Sequence, residues 1–138
     1  SKRRVRDPVA FREALALTNR AAELDPKLAP QAAAQAGRLY MAAGLFAEEV
    51  RERERAVAKC SDNPEYYQAL GLAYWNLGGP GGEVLSPGQK ECYRKALMAF
   101  NTVLSLRSDY PKTREYIKIL QERFLSRPTQ NVSMMGHQ

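Results

Sequence analysis

Two stretches decide the fold: EYYQALGLAYWNLG, from Glu65 to Gly78, and ECYRKALMAFNTVLSL, from Glu91 to Leu106. In the first, Tyr67, Leu70, Gly71, Tyr74, Leu77 and Gly78 recur at steps of three and four, which gathers them on one side of a helix. In the second, Tyr93, Ala96, Leu97, Phe100, Val103 and Leu104 form a similar stripe. The pair is expected to fold as antiparallel helices whose rings and aliphatic groups fill the notches left by Gly71, Gly78 and Ala96. One such pair has too little core to stand alone. Gly37, Tyr40 and Gly44 precede Gly71, Tyr74 and Gly78 by 34 residues each, and three matches in one register mark an internal repeat that supplies the neighbours.

Composition bounds what the chain can be. Its 138 residues fit one domain with a real core. No apolar run approaches the ~20 residues of a membrane-spanning helix, and no signal-peptide core is present. The chain opens with Ser1 rather than Met, so a fragment or processed form is expected. Cys60 and Cys92 fall in different predicted helices without Cys-x-x-Cys or Cys/His spacing, so no metal or cofactor is called and a reduced setting, cytoplasm or organelle interior, is expected. The net charge of +6 is uneven. Lys2, Arg3, Arg4 and Arg6 crowd the start, while Lys112, Arg114, Lys118, Arg123 and Arg127 crowd the end. Such clusters are ordinarily solvated surface; an acidic partner or an anionic membrane surface is the alternative.

Nothing in the pattern points to catalysis. Acid-base or nucleophilic chemistry needs an activated group beside an orienting partner, and the sole histidine, His137, lies in an aperiodic tail. Gly78 to Gly82 is no phosphate cradle, because no Gly-Lys-Ser/Thr follows and the segment joins two helices. The chain is therefore read as non-enzymatic.

In chain order, a basic leader (1–7) ends at Asp7-Pro8, an N-cap and first-turn proline that start the first helix, which runs to Leu24. A second, alanine-rich helix spans about Pro30 to Gly44, with Ala33 and Ala36 in the register of Tyr67 and Leu70; either the helices approach closely there or a neighbour fills the space. A third covers Phe46 to Cys60. Its alternation Arg51, Glu52, Arg53, Glu54, Arg55 predicts a highly solvated helix laced with local ion pairs. The fourth begins at Pro64. An insertion (79–86) follows, and Ser86, Pro87 and Gln89 then give the capping box of a fifth helix ending near Arg107. A sixth starts at Pro111 with Tyr116, Ile117, Leu120, Phe124 and Leu125 as its apolar set, and residues 127–138 form a flexible tail.

The residues Tyr67, Leu70-Gly71, Tyr74, Gly78, Ala96, Phe100 and Pro111 together resemble the tetratricopeptide family. The resemblance covers Phe11 to about Leu125 and implies an all-α, right-handed superhelix of antiparallel pairs over residues 8–126. About six helices would form a half repeat, two full repeats and a capping helix. Glu49 and Arg53 depart from it, standing where the family has alanine and an aromatic. By the same resemblance, the inner side of each first helix lines a concave groove. That stripe comprises Gln31, Ala34, Arg38 and Met41 on the second helix, Glu65, Gln68, Leu72, Trp75 and Asn76 on the fourth, and Lys112, Glu115, Ile119 and Glu122 on the sixth. Trp75 is either a binding hot spot or simply packed against its neighbours. The lysine and asparagine set of the family's chaperone-clamping members is not present.

The implied function is an adaptor, scaffold or complex-assembly factor binding a peptide segment or protein surface. A helical repeat that binds RNA is the alternative class, admitted by the basic balance but opposed by the acidic residues mixed into the groove. At the open end, Phe11, Leu15 and Leu24 are expected to be only partly covered. Missing upstream residues, a homodimer or a larger assembly are the arrangements that would complete them, besides a self-contained monomer.

Overall fold

The computed structural model describes residues 7–130; the expectations for Lys2 to Arg6 and for His137 concern residues outside them. Among the described residues the fold is all-α, with six helices: α1 (Pro8–Leu24), α2 (Ala29–Ala42), α3 (Phe46–Lys59), α4 (Pro64–Gly78), α5 (Pro87–Leu106) and α6 (Thr113–Ile119). A 3-10 turn, Pro26–Leu28, precedes α2, and a π-helical turn, Leu120–Phe124, continues α6.

Local chemistry sets the helix ends. The Asp7 carboxylate accepts from the Ala10 amide at 3.0 Å, and Asn63 does the same for Glu65 at 2.9 Å, each followed by a proline that has no amide hydrogen to lose. At Ser86 both halves of the capping box form: Ser86 Oγ accepts from the Gln89 amide and Gln89 Oε1 from the Ser86 amide. The chain leaves α2 and α4 through Gly44 and Gly79, whose φ of 75° and 71° would strain any residue with a β-carbon.

Consecutive helices pack in chain order, with α2/α3 and α4/α5 as the closest pairs. Tyr93, Phe100, Val103, Leu85 and Leu120 are fully buried, each stabilising the fold by roughly 1.5–3 kcal/mol through the apolar surface it removes from water. Two glycines govern how close α4 and α5 come. A β-carbon on Gly71 would stand 2.5 Å from the Phe100 ring, and one on Gly78 would stand 2.5 Å from Tyr93. The notches expected at Gly71 and Gly78 are thus filled by rings.

The α2/α3 pair repeats this contact with a different side chain and corrects the expectation for α3. Arg51, Glu52, Glu54 and Arg55 do lie at the surface or partly so, but Glu49 and Arg53 are 1% and 7% exposed. Arg53 lies over Gly37 as Phe100 lies over Gly71. Its Nε donates to Glu49 Oε2 at 3.4 Å and its Nη1 to the Ala34 carbonyl at 3.2 Å. The small surface of Ala33, Ala36 and Gly37 leaves a slot that the arginine stem fills, and the slot is what turns this one pair of the charged run inward.

Two further corrections concern the C-terminal part. Helix α6 starts at Thr113 rather than Pro111, because Lys112 takes a left-handed conformation (φ 69°). Gln68 fixes that entry, donating to the Pro111 carbonyl at 3.1 Å while accepting from the Thr113 hydroxyl at 2.9 Å. The chain from Arg127 to Gln130 is not a free tail. Leu85 exchanges backbone hydrogen bonds with Pro128 (2.8 Å) and Gln130 (2.7 Å) in an isolated bridge opposite Thr129. Arg127 Nη1 donates to the Pro80 and Gly82 carbonyls at 2.7 and 3.2 Å, and its guanidinium stacks on Phe124. The glycine-rich insertion is therefore tied down by residues 127–130.

At the other end, α1 buries no residue completely. Phe11 and Leu15 are half-buried, and Phe11 meets Tyr40 edge-on at 5.8 Å. Val9, Leu17 and Leu24 are 54%, 72% and 70% exposed.

Candidate functional site

The predicted groove residues fall into three groups. On α2, Gln31, Arg38 and Met41 are exposed, whereas Ala34 is buried beneath Arg53. Arg38 is held in a defined orientation: its Nε and Nη2 both donate to Gln35 Oε1, at 3.0 and 2.6 Å. Side chains three apart on a helix meet in this way, so the guanidinium is presented rather than waving.

On α4, Asn76 and Glu65 are exposed and Leu72 is half-buried against the core. Gln68 is half-buried and engaged with Pro111 and Thr113. Trp75 is half-buried with its ring surrounded by Phe100, Tyr116 and Phe124, all edge-on at 6.3, 6.0 and 5.3 Å. That is the geometry the ring quadrupoles favour. Trp75 is thus mainly a packing residue that shows one edge. That edge, with Phe46, Asn76, Gly79, Pro80 and Phe124, lines a shallow cavity of about 360 Å³. The sequence pattern marks Phe124 only as part of an apolar set and Phe46 only as the start of a helix. What brings Phe124 here is the π-helical turn, which no spacing rule forecasts.

Around α6, Lys112 just before the helix, Glu115 on it and Glu122 in the π-helical turn are exposed, and Ile119 is half-buried. Glu115, Lys118, Ile119, Glu122 and Arg123 line a second shallow cavity of about 280 Å³. A larger groove of about 560 Å³ runs beside α5, floored by Tyr67, Leu70, Tyr74, Met98 and Ala99 and flanked by Glu54, Glu91, Arg94 and Lys95. Tyr74 donates its hydroxyl to Glu54 in a hydrogen bond. Burial, and then that bond, pushes the Tyr74 hydroxyl far above its ordinary range, so it stays a donor.

Inside, burial pushes the Glu49 carboxyl up and the Arg53 guanidinium down, each opposed by the attraction of the other; the Asn76 side chain also favours the Glu49 carboxylate, and Arg38 adds to the downward push on Arg53. Glu49 Oε1 has no hydrogen-bond partner among the described residues. Among those residues no three His, Cys, Asp or Glu side chains cluster to hold a metal ion, and no helix is long and apolar enough to cross a membrane. The surfaces offer what recognition of a polypeptide uses: aromatic edges, an exposed carboxamide and oriented charge. A comparison with protein-family models and with curated protein sequences finds no match to this chain.

Proposed function

We propose that the chain is a protein-interaction scaffold of the tetratricopeptide type. In this proposal its helix pairs coil into a right-handed superhelix, and the faces of α2, α4 and α6 form a groove for a peptide segment or protein surface during complex assembly. The observation that carries it is the doubled glycine contact. Gly37 under Arg53 and Gly71 under Phe100 stand 34 residues apart in two helix pairs, which is what a stacked repeat requires. Around the proposed groove, Arg38 and Asn76 are among the exposed polar groups able to pair with a peptide backbone or side chain, beside the edge of Trp75.

The test uses peptides selected from a random display library on the whole protein, with partners captured from lysate as a second arm. Arg38→Glu and Asn76→Ala should each weaken selected ligands at least about tenfold while leaving the helical circular dichroism unchanged; because Asn76 also favours the Glu49 carboxylate and Arg38 repels Arg53, binding is compared well below each variant's melting transition. Full binding by both variants moves the site off this face. Single-stranded RNA at two salt concentrations is the control: tight, steeply salt-dependent binding would replace the polypeptide ligand with a nucleic acid.

A further inference from the structure

We infer that the outward face of α1 is a self-association surface, on which a second copy of this chain docks antiparallel about a two-fold axis at Leu17. Among the described residues, α1 packs on α2 and the adjoining turn, through the side that carries Phe11, Ala14, Leu15, Thr18, Ala21 and Ala22. At 100° per residue, Val9, Glu13, Leu17, Arg20 and Leu24 lie within an arc of about 80° on roughly the opposite side. All five are exposed, and three are large apolar residues.

The order along this stripe identifies the occupant. It reads apolar, acidic, apolar, basic, apolar, with Leu17 in the middle and Glu13 and Arg20 one turn to either side. Turning a second α1 by 180° about Leu17 sets Leu17 on Leu17, Glu13 on the partner's Arg20, Arg20 on the partner's Glu13, and Val9 on the partner's Leu24. The surface is complementary to itself, which an isologous two-fold contact requires. Parallel docking in register would instead set Glu13 against Glu13 and Arg20 against Arg20.

Within one copy Arg20 meets Glu23 at 3.4 Å, but both side chains are about two-thirds exposed, and an ion pair so solvated yields easily to a better one. A lipid surface fits less well, because Glu13 within the stripe would be pressed against anionic headgroups. A helix of 17 residues is only about 25 Å long. One such pair buries less than the roughly 800 Å² per partner of a standard interface, so the dimer should be weak, with a Kd on the order of tens of micromolar. This inference goes beyond the groove assignment. Arg38 and Asn76 are not on α1, so either claim can fail alone.

Sedimentation velocity of the full chain from about 5 to 500 µM at low salt tests it through a charge-swap cycle. Glu13→Arg and Arg20→Glu each place like charges together twice per dimer and should raise the Kd about tenfold or more; the double swap should return it to within about threefold of the parent. Leu17→Asp should abolish the dimer. These residues are exposed, so the monomer keeps its helical content, which circular dichroism verifies. A parent protein that is monomeric throughout overturns the proposal, as does a double swap that fails to restore association. Monomeric binding to phosphatidylserine-containing vesicles that is lost with Leu17→Asp would assign the face to a membrane instead.

Discussion

The Nε of Arg53 lies 2.8 Å from the point where a β-carbon on Gly37 would stand. Phe100 holds the same relation to Gly71 in the neighbouring helix pair, with Ala96 one turn before it where α3 has Glu49. An ion pair therefore does in one pair of helices what a ring and a methyl group do in the other.

The two solutions should be interchangeable, which gives the first prediction. Glu49→Ala alone leaves a buried guanidinium without its carboxylate and should cost about 3–5 kcal/mol, whereas Glu49→Ala with Arg53→Phe should be neutral or stabilising. Urea denaturation of the parent, single and double variants measures both. A double variant as unstable as the single one would show that the slot over Gly37 cannot take a ring.

The same pair predicts a pH dependence. Burial raises the Glu49 carboxyl above its ordinary value of 4.5, so between that value and the raised one the folded state binds more protons than the unfolded state. The contribution of Glu49 is thus greatest below that window and is lost as pH rises through it. Relative to the Glu49→Ala, Arg53→Phe protein, the parent should lose stability as pH rises from the ordinary carboxylate value toward neutrality. Denaturation midpoints of the two proteins at several pH values give the difference directly; a difference that grows in the parent's favour with pH contradicts this account.

Glycine substitutions should separate by what they would meet. Gly71→Ala and Gly78→Ala drive a methyl group into Phe100 and Tyr93 and should cost at least about 1–3 kcal/mol each, despite the higher helix propensity of alanine. Gly88→Ala, in the first turn of α5 with nothing nearer than 4.0 Å, should be neutral or slightly stabilising. Thermal melts of the three rank them.

Arg127 should control the insertion. Arg127→Ala removes the hydrogen bonds to Pro80 and Gly82 and the stacking on Phe124, at a cost of about 1–3 kcal/mol. Amide exchange at Leu85 and Gln130 should accelerate more than exchange in α2, and proteolysis should begin between Gly79 and Glu83. Uniform acceleration throughout would mean that the insertion is not a separate local unit.

Much of the fold was legible because its determinants are local. Asp7-Pro8 and Ser86-Pro87-Gln89 announce helix starts within a few residues, and the glycines of α2 and α4 repeat at one spacing. The inward turn of Glu49 and Arg53 was marked only by register, which puts them where α5 has Ala96 and Phe100. A charged run looks solvated until the slot left by α2 is known, and that slot is a property of two helices at once. The anchoring of residues 127–130 left no signal because most of its acceptors are backbone carbonyls, which every residue carries. For the candidate groove, helical spacing identified which residues share a stripe with Trp75. It could not show that Tyr116 and Phe124 would close around the ring.

The bridge between Leu85 and the last described residues also has a consequence for synthesis on the ribosome. The α4/α5 hairpin is local and can form as soon as both helices emerge, but the Pro80 carbonyl waits for a donor 47 positions further along the chain. Until Arg127 to Gln130 have cleared the exit tunnel, Leu85 lacks the backbone partners that seat it in the core. A chain truncated before Arg127 would have its helices formed and this apolar joint still open to chaperones.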